Sequence, residues 1–223
     1  MLPKFFSLFL LGIGVFILVQ VIMPVLSFKL WEISLYNQNI SLISSDPDSV
    51  TVLGVSIQNN QSLLPFGTSD NFPAFISNSR RATPPLYKEF TITIPSIKLE
   101  NVKVVVDTND FEKNLAHLPG SVLPGERGNV FITGHSSLPQ LFRQGNFKAV
   151  FANLPQMKTG DEIMIEASGQ TFSYQVKGLQ IVDPKQTWVI NPPDEKGRYL
   201  TLMTCVPPGL YLKRLIVLSE LQP

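Results

Sequence analysis

Short strand-like runs dominate residues 89–221. β-Branched and aromatic residues cluster in runs that Gly, Pro or Asn interrupt about every ten residues. The predicted strands are 90–94, 102–106, 129–133, 162–167, 171–182, 199–205 and 213–221. Residues 110–116 and 147–154 are predicted as short helices. This pattern predicts a mostly β fold, a closed or nearly closed β-barrel of seven or eight strands with short helices.

Composition limits what such a barrel does. The formal net charge is +1 in 223 residues, so the charge balance offers no argument for nucleic-acid binding. A single cysteine excludes an intramolecular disulfide and a cysteine-rich zinc module. In an extracytoplasmic setting, a lone thiol is more often reactive than structural, because oxidising compartments make an idle free thiol a liability.

The first residues of the chain are strongly apolar. Residues 5–28 contain no charged side chain, and Lys4 and Lys29 flank them. A helix of that length rises about 36 Å, enough to cross a hydrocarbon core of about 30 Å. We therefore predict an N-terminal transmembrane anchor at residues 1–30. A cleaved signal peptide is the alternative, and the flanking charges encode orientation only weakly.

The following segment, residues 31–88, is rich in Ser, Asn and Pro and carries few charges. This composition predicts an extracytoplasmic linker, with a short docked strand within residues 51–57 as an option. The barrel domain is then expected at residues 89–223.

The only cysteine ends the run at 199–205. Side chains alternate on a strand, so Thr201, Met203 and Cys205 share one face. Pro207 and Pro208 cannot donate to a β-ladder and should end the strand just beyond the thiol. We therefore expect the sulfur at a strand end, beside a loop, where a substrate can reach it. Taken alone, a lone cysteine is more often a small buried apolar residue.

The motif that contains this cysteine is the second of three sequence features that follow one another along the chain. They are Thr-Gly-His at 133–135, Thr-Leu-Met-Thr-Cys at 201–205, and Arg214 nine positions after the cysteine. Together with the Pro- and Gly-rich run at 118–129 and the hairpin around 160–176, they resemble the sortase family of membrane-anchored cysteine transpeptidases. The subclass stays open, nearer to class D or E than to class C, whose inhibitory lid carries an Asp-Pro-aromatic motif. Asp46-Pro47-Asp48 lacks that aromatic residue, so no lid is expected.

The resemblance implies roles for individual residues. Cys205 would be the nucleophile, His135 the general acid and base, and Arg214 the group that stabilises the oxyanion. Arg214 alternates with apolar residues on its strand, an odd position for a solvated charge. Thr204 is a candidate substrate-binding residue. His117 is expected to be structural.

The resemblance also implies the reaction and its partners. The enzyme would cleave a C-terminal sorting motif of a secreted protein and transfer the acyl group to an amine of a cell-wall precursor or a pilin. It would sit in the cell membrane as a single-pass protein that contacts lipid through its N-terminal helix, with an extracytoplasmic catalytic domain. No cofactor or metal is implied. Acidic clusters are absent around residues 183–195, so calcium dependence is not expected.

Three alternatives stay open from the residues themselves. A papain-like peptidase would place its cysteine at a helix N-terminus, which fits the β-rich surroundings of Cys205 poorly. A metal site formed by His117, His135 and Cys205 lacks paired-ligand spacing. A catalytically silent, membrane-anchored binding barrel would require all three motifs to have no chemical role.

Overall fold

The computed structural model describes residues 2–36, 84–208 and 211–223. The chain divides into two compact units, Met1–Asn39 and Ile40–Pro223. The predicted linker and its optional strand, together with Asp46-Pro47-Asp48, lie mostly or wholly outside the described residues. The predicted boundaries at residues 30 and 88 stay predictions.

The described residues of the first unit form helix α1, which spans Leu2–Tyr36. Among the residues described, no helix is both long enough and apolar enough to cross a membrane. The transmembrane anchor predicted for residues 1–30 is not shown and stays a prediction.

Within the second unit, the described strands from Glu89 to Leu221 form a closed β-barrel, which confirms the predicted barrel. Its strands run in the order β1-β2-β3-β4-β7-β8-β6-β5 around the barrel. They are β1 (Glu89–Ile94), β2 (Leu99–Val105), β3 (Leu115–His117), β4 (Gly128–Thr133), β5 (Glu162–Ala167), β6 (Gln170–Val182), β7 (Arg198–Val206) and β8 (Lys213–Leu221). Short 3-10 turns lie at Pro95–Ile97, Pro139–Leu141, Phe147–Ala149, Leu154–Gln156 and Thr187–Ile190.

Both predicted helices are wrong in detail. Residues 147–154 hold one 3-10 turn, Phe147–Ala149, and the start of another, Leu154–Gln156. Residues 110–114 form a loop, and residues 115 and 116 already belong to β3. Leu115 and Ala116 there pair with residues of β2 in parallel. This three-residue strand is stabilised by partners distant in sequence, which a local helical pattern does not reveal.

Strand β7, which carries Cys205, lies between β4 and β8 in the barrel. It runs parallel to β4 on one side and antiparallel to β8 on the other. Every residue of β7 after Arg198 is buried, so both of its faces are covered. The strand ends at Val206, directly before Pro207, as the prolines predict.

One face of β7 packs into an apolar cluster that contains the cysteine. Full burial of one large side chain in such a cluster contributes about 1.5–3 kcal/mol. We call this group the cysteine cluster; its buried members are Leu118, Phe131, Val182, Val189, Tyr199, Met203, Cys205, Ile216 and Leu218. The side chains of Phe111, Trp188 and Ile190 pack against it.

Candidate active site

Cys205 and Arg214 face each other across two adjacent strands. They are directly opposite partners in the β7–β8 register. Directly opposite residues of an antiparallel pair project on the same face, with Cβ atoms about 4.5–5.5 Å apart. Arg214 is 2% exposed, which agrees with its predicted orientation among apolar residues. Its Nη1 donates to the carbonyls of Tyr211 at 3.1 Å and Lys213 at 3.2 Å.

His135 lies at the end of the strand on the other side of β7. Thr133 pairs with Met203 in the parallel β4–β7 register. His135 and Cys205 each follow two residues later, so they lie at the same level of neighbouring strand ends. The predicted arrangement, with the histidine strand and the arginine strand on either side of the cysteine strand, is confirmed.

Gly134 fixes the approach of His135 to β7. Its N–H donates to the Met203 carbonyl at 3.2 Å, and its own carbonyl accepts from Thr204 Oγ1 at 2.8 Å. A Cβ at this position would lie 2.4 Å from Leu115 Cδ2 and 2.8 Å from Phe151 Cδ2. A larger residue would therefore have to displace the side chains of Leu115 and Phe151, which explains the middle residue of the Thr-Gly-His motif.

Thr204 is fully buried, and its hydroxyl is committed to the Gly134 carbonyl. The structure gives this side chain a role in tying β7 to the segment that carries His135. It gives no support to the predicted contact of Thr204 with substrate, which stays a prediction.

The Cys205 side chain is not reachable in this structure, contrary to expectation. It is fully buried within the cysteine cluster, although it lies one residue from the strand end. Phe111 precedes β3, and Trp188 lies in the 3-10 turn before β7; both pack against this cluster. Burial disfavours the charged thiolate and raises the pKa of Cys205 to about 11, while the nearby Arg214 charge opposes this shift.

The imidazole of His135 is mostly buried, with 16% of its side chain exposed. Burial lowers its pKa, the Glu112 carboxylate raises it, and the Lys148 charge lowers it further. The raised cysteine pKa and the lowered histidine pKa both favour the neutral side chains over the charged thiolate–imidazolium pair.

His117 is structural, as predicted. It is fully buried, and its Nδ1 accepts from the backbone N–H of Asp107 at 3.3 Å. Its Nε2 lies 2.9 Å from the Val122 carbonyl and 3.0 Å from Ser121 Oγ. Both ring nitrogens of this buried side chain therefore contact neighbouring groups of the barrel.

Sequence reasoning missed two residues beside His135. Glu112 Oε1 lies 3.4 Å from His135 Nε2, and the Phe111 ring meets the imidazole edge-on at a centroid distance of 4.5 Å. These residues precede His135 by more than twenty positions, inside a stretch predicted as helix. No local pattern links them to the histidine, because pairing between strands distant in sequence, such as β3 with β4, brings them together.

The described part of the chain contains no group of three or more His, Cys, Asp or Glu side chains that could hold a metal ion. The buried Ser136 Oγ, next to His135, has no hydrogen-bond partner among the described residues.

Comparison with known proteins gives one consistent result. A family model for the sortase domain matches residues 92–222. Sortase D of Bacillus subtilis (strain 168) is 30% identical over 117 residues, which cover 52% of this chain and 53% of that protein. The chain thus spans about half the length of the curated relative it matches.

Solved structures agree with the sequence match. Sortase A from Corynebacterium diphtheriae, a lid mutant, superposes with a TM-score of 0.53 at 32% identity, over 64% of this chain and 73% of that one. A Clostridium perfringens Sortase D5 transpeptidase superposes with a TM-score of 0.51 at 26% identity, over 60% and 78%.

Proposed function

The chain belongs to the sortase family of cysteine transpeptidases, and from that premise we propose that it cleaves a sorting motif through a thioacyl-enzyme on Cys205. The acyl group then passes to an amine nucleophile. The observation that carries this proposal is the strand register, which sets Arg214 opposite Cys205 and His135 level with it.

The proposed chemistry begins with proton transfer. His135 takes the thiol proton, and the Cys205 sulfur attacks the carbonyl carbon of the scissile peptide bond. Arg214 donates hydrogen bonds to the oxyanion that develops on the carbonyl oxygen. Imidazolium of His135 then protonates the leaving amine, the C–N bond breaks, and a thioester to Cys205 remains.

The second half of the reaction reverses these roles. An amine attacks the thioester carbonyl, and His135 accepts the amine proton. The C–S bond breaks, the thiolate leaves, and His135 returns the proton to it. The acceptor amine would belong to a cell-wall precursor or a pilin lysine, and the donor would be the C-terminal sorting motif of a secreted protein.

Substrate entry requires a change at the buried thiol. Cys205 is fully buried in the cysteine cluster, so some of the surrounding side chains have to move before a peptide carbonyl reaches the sulfur. Movement of loop segments is a common step in substrate binding.

We also propose that residues 1–30 anchor the enzyme in the cell membrane, with the barrel on the extracytoplasmic side. The support is the uncharged sequence between Lys4 and Lys29. The chain should stay with membranes after a carbonate wash. A mature protein that starts near residue 29 would instead indicate a cleaved signal peptide.

Product analysis tests the reaction. The full chain is incubated with a library of sorting-type peptides and an amine such as triglycine, and products are identified by liquid chromatography and mass spectrometry. We expect a peptide cleaved within its motif and joined to the amine, and no such product with Cys205→Ala. Peptide binding without any cleavage would favour the silent binding barrel.

A further inference from the structure

The loop between β2 and β3, residues 106–114, contacts the proposed general acid from two sides. The Glu112 carboxylate reaches His135 Nε2 at 3.4 Å. The neighbouring Phe111 ring packs edge-on against the imidazole, with an interplanar angle of 65°. Phe111 also packs against the cysteine cluster, so this β2–β3 loop touches both the histidine and the surroundings of the thiol.

The β2–β3 loop is held in place by its own hydrogen bonds. The Glu112 N–H donates to Asp110 Oδ1 at 3.0 Å, and Asn114 Nδ2 donates to the Asp110 carbonyl at 2.8 Å. At the start of the loop, the Asp107 N–H donates to Nδ1 of the buried His117 at 3.3 Å. Glu112 is therefore presented by a backbone that is fixed at both ends.

Two charged side chains act on the imidazole of His135. Glu112 favours the imidazolium, and Lys148, from the 3-10 turn Phe147–Ala149, opposes it. A carboxylate on Nε2 also keeps a proton on that nitrogen, because an ionised carboxylate only accepts hydrogen bonds. Nδ1 is then the nitrogen at which a proton is gained and lost.

We propose that Glu112 is a positioning residue for the transpeptidase reaction: its carboxylate holds His135 through Nε2, so that Nδ1 exchanges the proton with the thiol and the leaving amine. Phe111 restricts the ring from a second side. This inference rests on the proposed function of Cys205 and His135 and adds a residue to it.

The test compares Glu112→Gln and Glu112→Ala with a matched control, Glu100→Gln. Glu100 is an exposed carboxylate near the opposite end of β2. The first readout is titration of the His135 imidazole by NMR in the full chain. The chain has two histidines, so loss of one ring signal in His135→Gln identifies the signal of His135.

We expect the pKa of His135 to fall in both Glu112 variants and to stay unchanged in Glu100→Gln. Lys148→Gln should shift it the opposite way. If the pKa of His135 in the Glu112 variants matches that of Glu100→Gln, the proposed contact is refuted.

The second readout is peptide turnover. A positioned general acid increases the reaction rate by about 10²–10⁴-fold. Loss of the group that positions it should cost part of this increase, so we expect kcat of Glu112→Ala to fall about tenfold, with KM little changed. The acid limb of its pH–rate profile should move to lower pH, which a merely structural role would not produce. A kcat and a profile equal to those of Glu100→Gln would overturn the proposal.

The two readouts also separate this inference from the function on which it rests. A wild-type chain that turns over no peptide, but whose His135 pKa still depends on Glu112, would refute the proposed function and leave the contact standing. Normal wild-type turnover, with a His135 pKa and a kcat that do not change in the Glu112 variants, would refute the positioning role of Glu112 and leave the proposed function standing.

Discussion

Alkylation of the thiol provides a direct test of the environment of Cys205. Iodoacetamide reacts with thiolate and not with thiol, and the chain has one cysteine, so every modification reports on this residue. Burial raises the pKa of Cys205 from an ordinary 9.0 to about 11. At pH 7 the thiolate fraction is then about 10⁻⁴, compared with about 10⁻² for an unshifted thiol.

The rate of alkylation at pH 7 should therefore be on the order of 100-fold lower in the folded protein than in the same chain unfolded in urea. The full burial of the Cys205 side chain slows the reaction further, because the reagent has to reach the sulfur. In the folded protein the rate should keep rising up to a pH near 11, whereas in the unfolded chain it should level off near pH 9.

Intact-mass spectrometry at timed intervals, from pH 6 to 11, measures both profiles. The unfolded chain is the internal control, since its thiol has the same sequence neighbours and no burial. A folded-state inflection at or below pH 9, or equal rates at pH 7, would refute the claim that burial of Cys205 keeps it protonated.

Three further predictions concern activity and stability. Cys205→Ala should reduce peptide turnover to background, and His135→Ala should reduce it by about 10²–10⁴-fold. Both variants should unfold thermally at a temperature close to that of wild type. Retained activity in either variant would contradict the assigned roles. Ser219→Ala should leave the free energy of unfolding unchanged or raise it, because the buried Ser219 Oγ has no hydrogen-bond partner among the described residues. Ser121 Oγ donates to the Leu118 carbonyl, so Ser121→Ala should lower the free energy of unfolding by about 1–2 kcal/mol. Denaturant unfolding measures both changes, and a larger loss for Ser219→Ala than for Ser121→Ala would be inconsistent with the structure. The Cys205 pKa is higher in the folded state, so the folded protein keeps the thiol proton to higher pH than the unfolded chain does. Wild type should therefore lose up to about 2–3 kcal/mol of its free energy of unfolding, relative to Cys205→Ala, as pH rises from 9 to 11. A difference between the two proteins that stays constant over this pH range would exclude the pKa shift.

The barrel and the order of the site strands could be predicted because their signals are local. Strand β7 reads as an apolar alternating run that two prolines terminate, and Arg214 follows at a spacing that suits an antiparallel neighbour. The observed pairing of Cys205 with Arg214 follows from such short-range features. The Thr-Gly-His motif likewise marks the end of β4.

The loop beside His135 could not be predicted, for a physical reason. Residues 110–116 look helical when read alone, yet Leu115 and Ala116 pair with β2, and Ala116 and His117 pair with β4. Pairing distant in sequence decides their conformation, and it carries Glu112 to the histidine.

Burial of the cysteine has the same origin. The proline signal correctly placed the thiol near a strand end. The cluster that buries it includes residues such as Leu118 and Phe131, which lie far from Cys205 along the chain. A strand end was therefore predictable, while access to it was not.

The central claim is that Cys205 forms a covalent acyl intermediate. Intact-mass spectrometry of the full chain, quenched in acid during turnover of a cleaved peptide without an amine acceptor, measures this directly. The account predicts a mass increase equal to the acyl fragment of the peptide, mapped by proteolysis to Cys205 and removed by added amine or by hydroxylamine. Peptide cleavage with no adduct on Cys205, or an adduct that persists in Cys205→Ala, would contradict it.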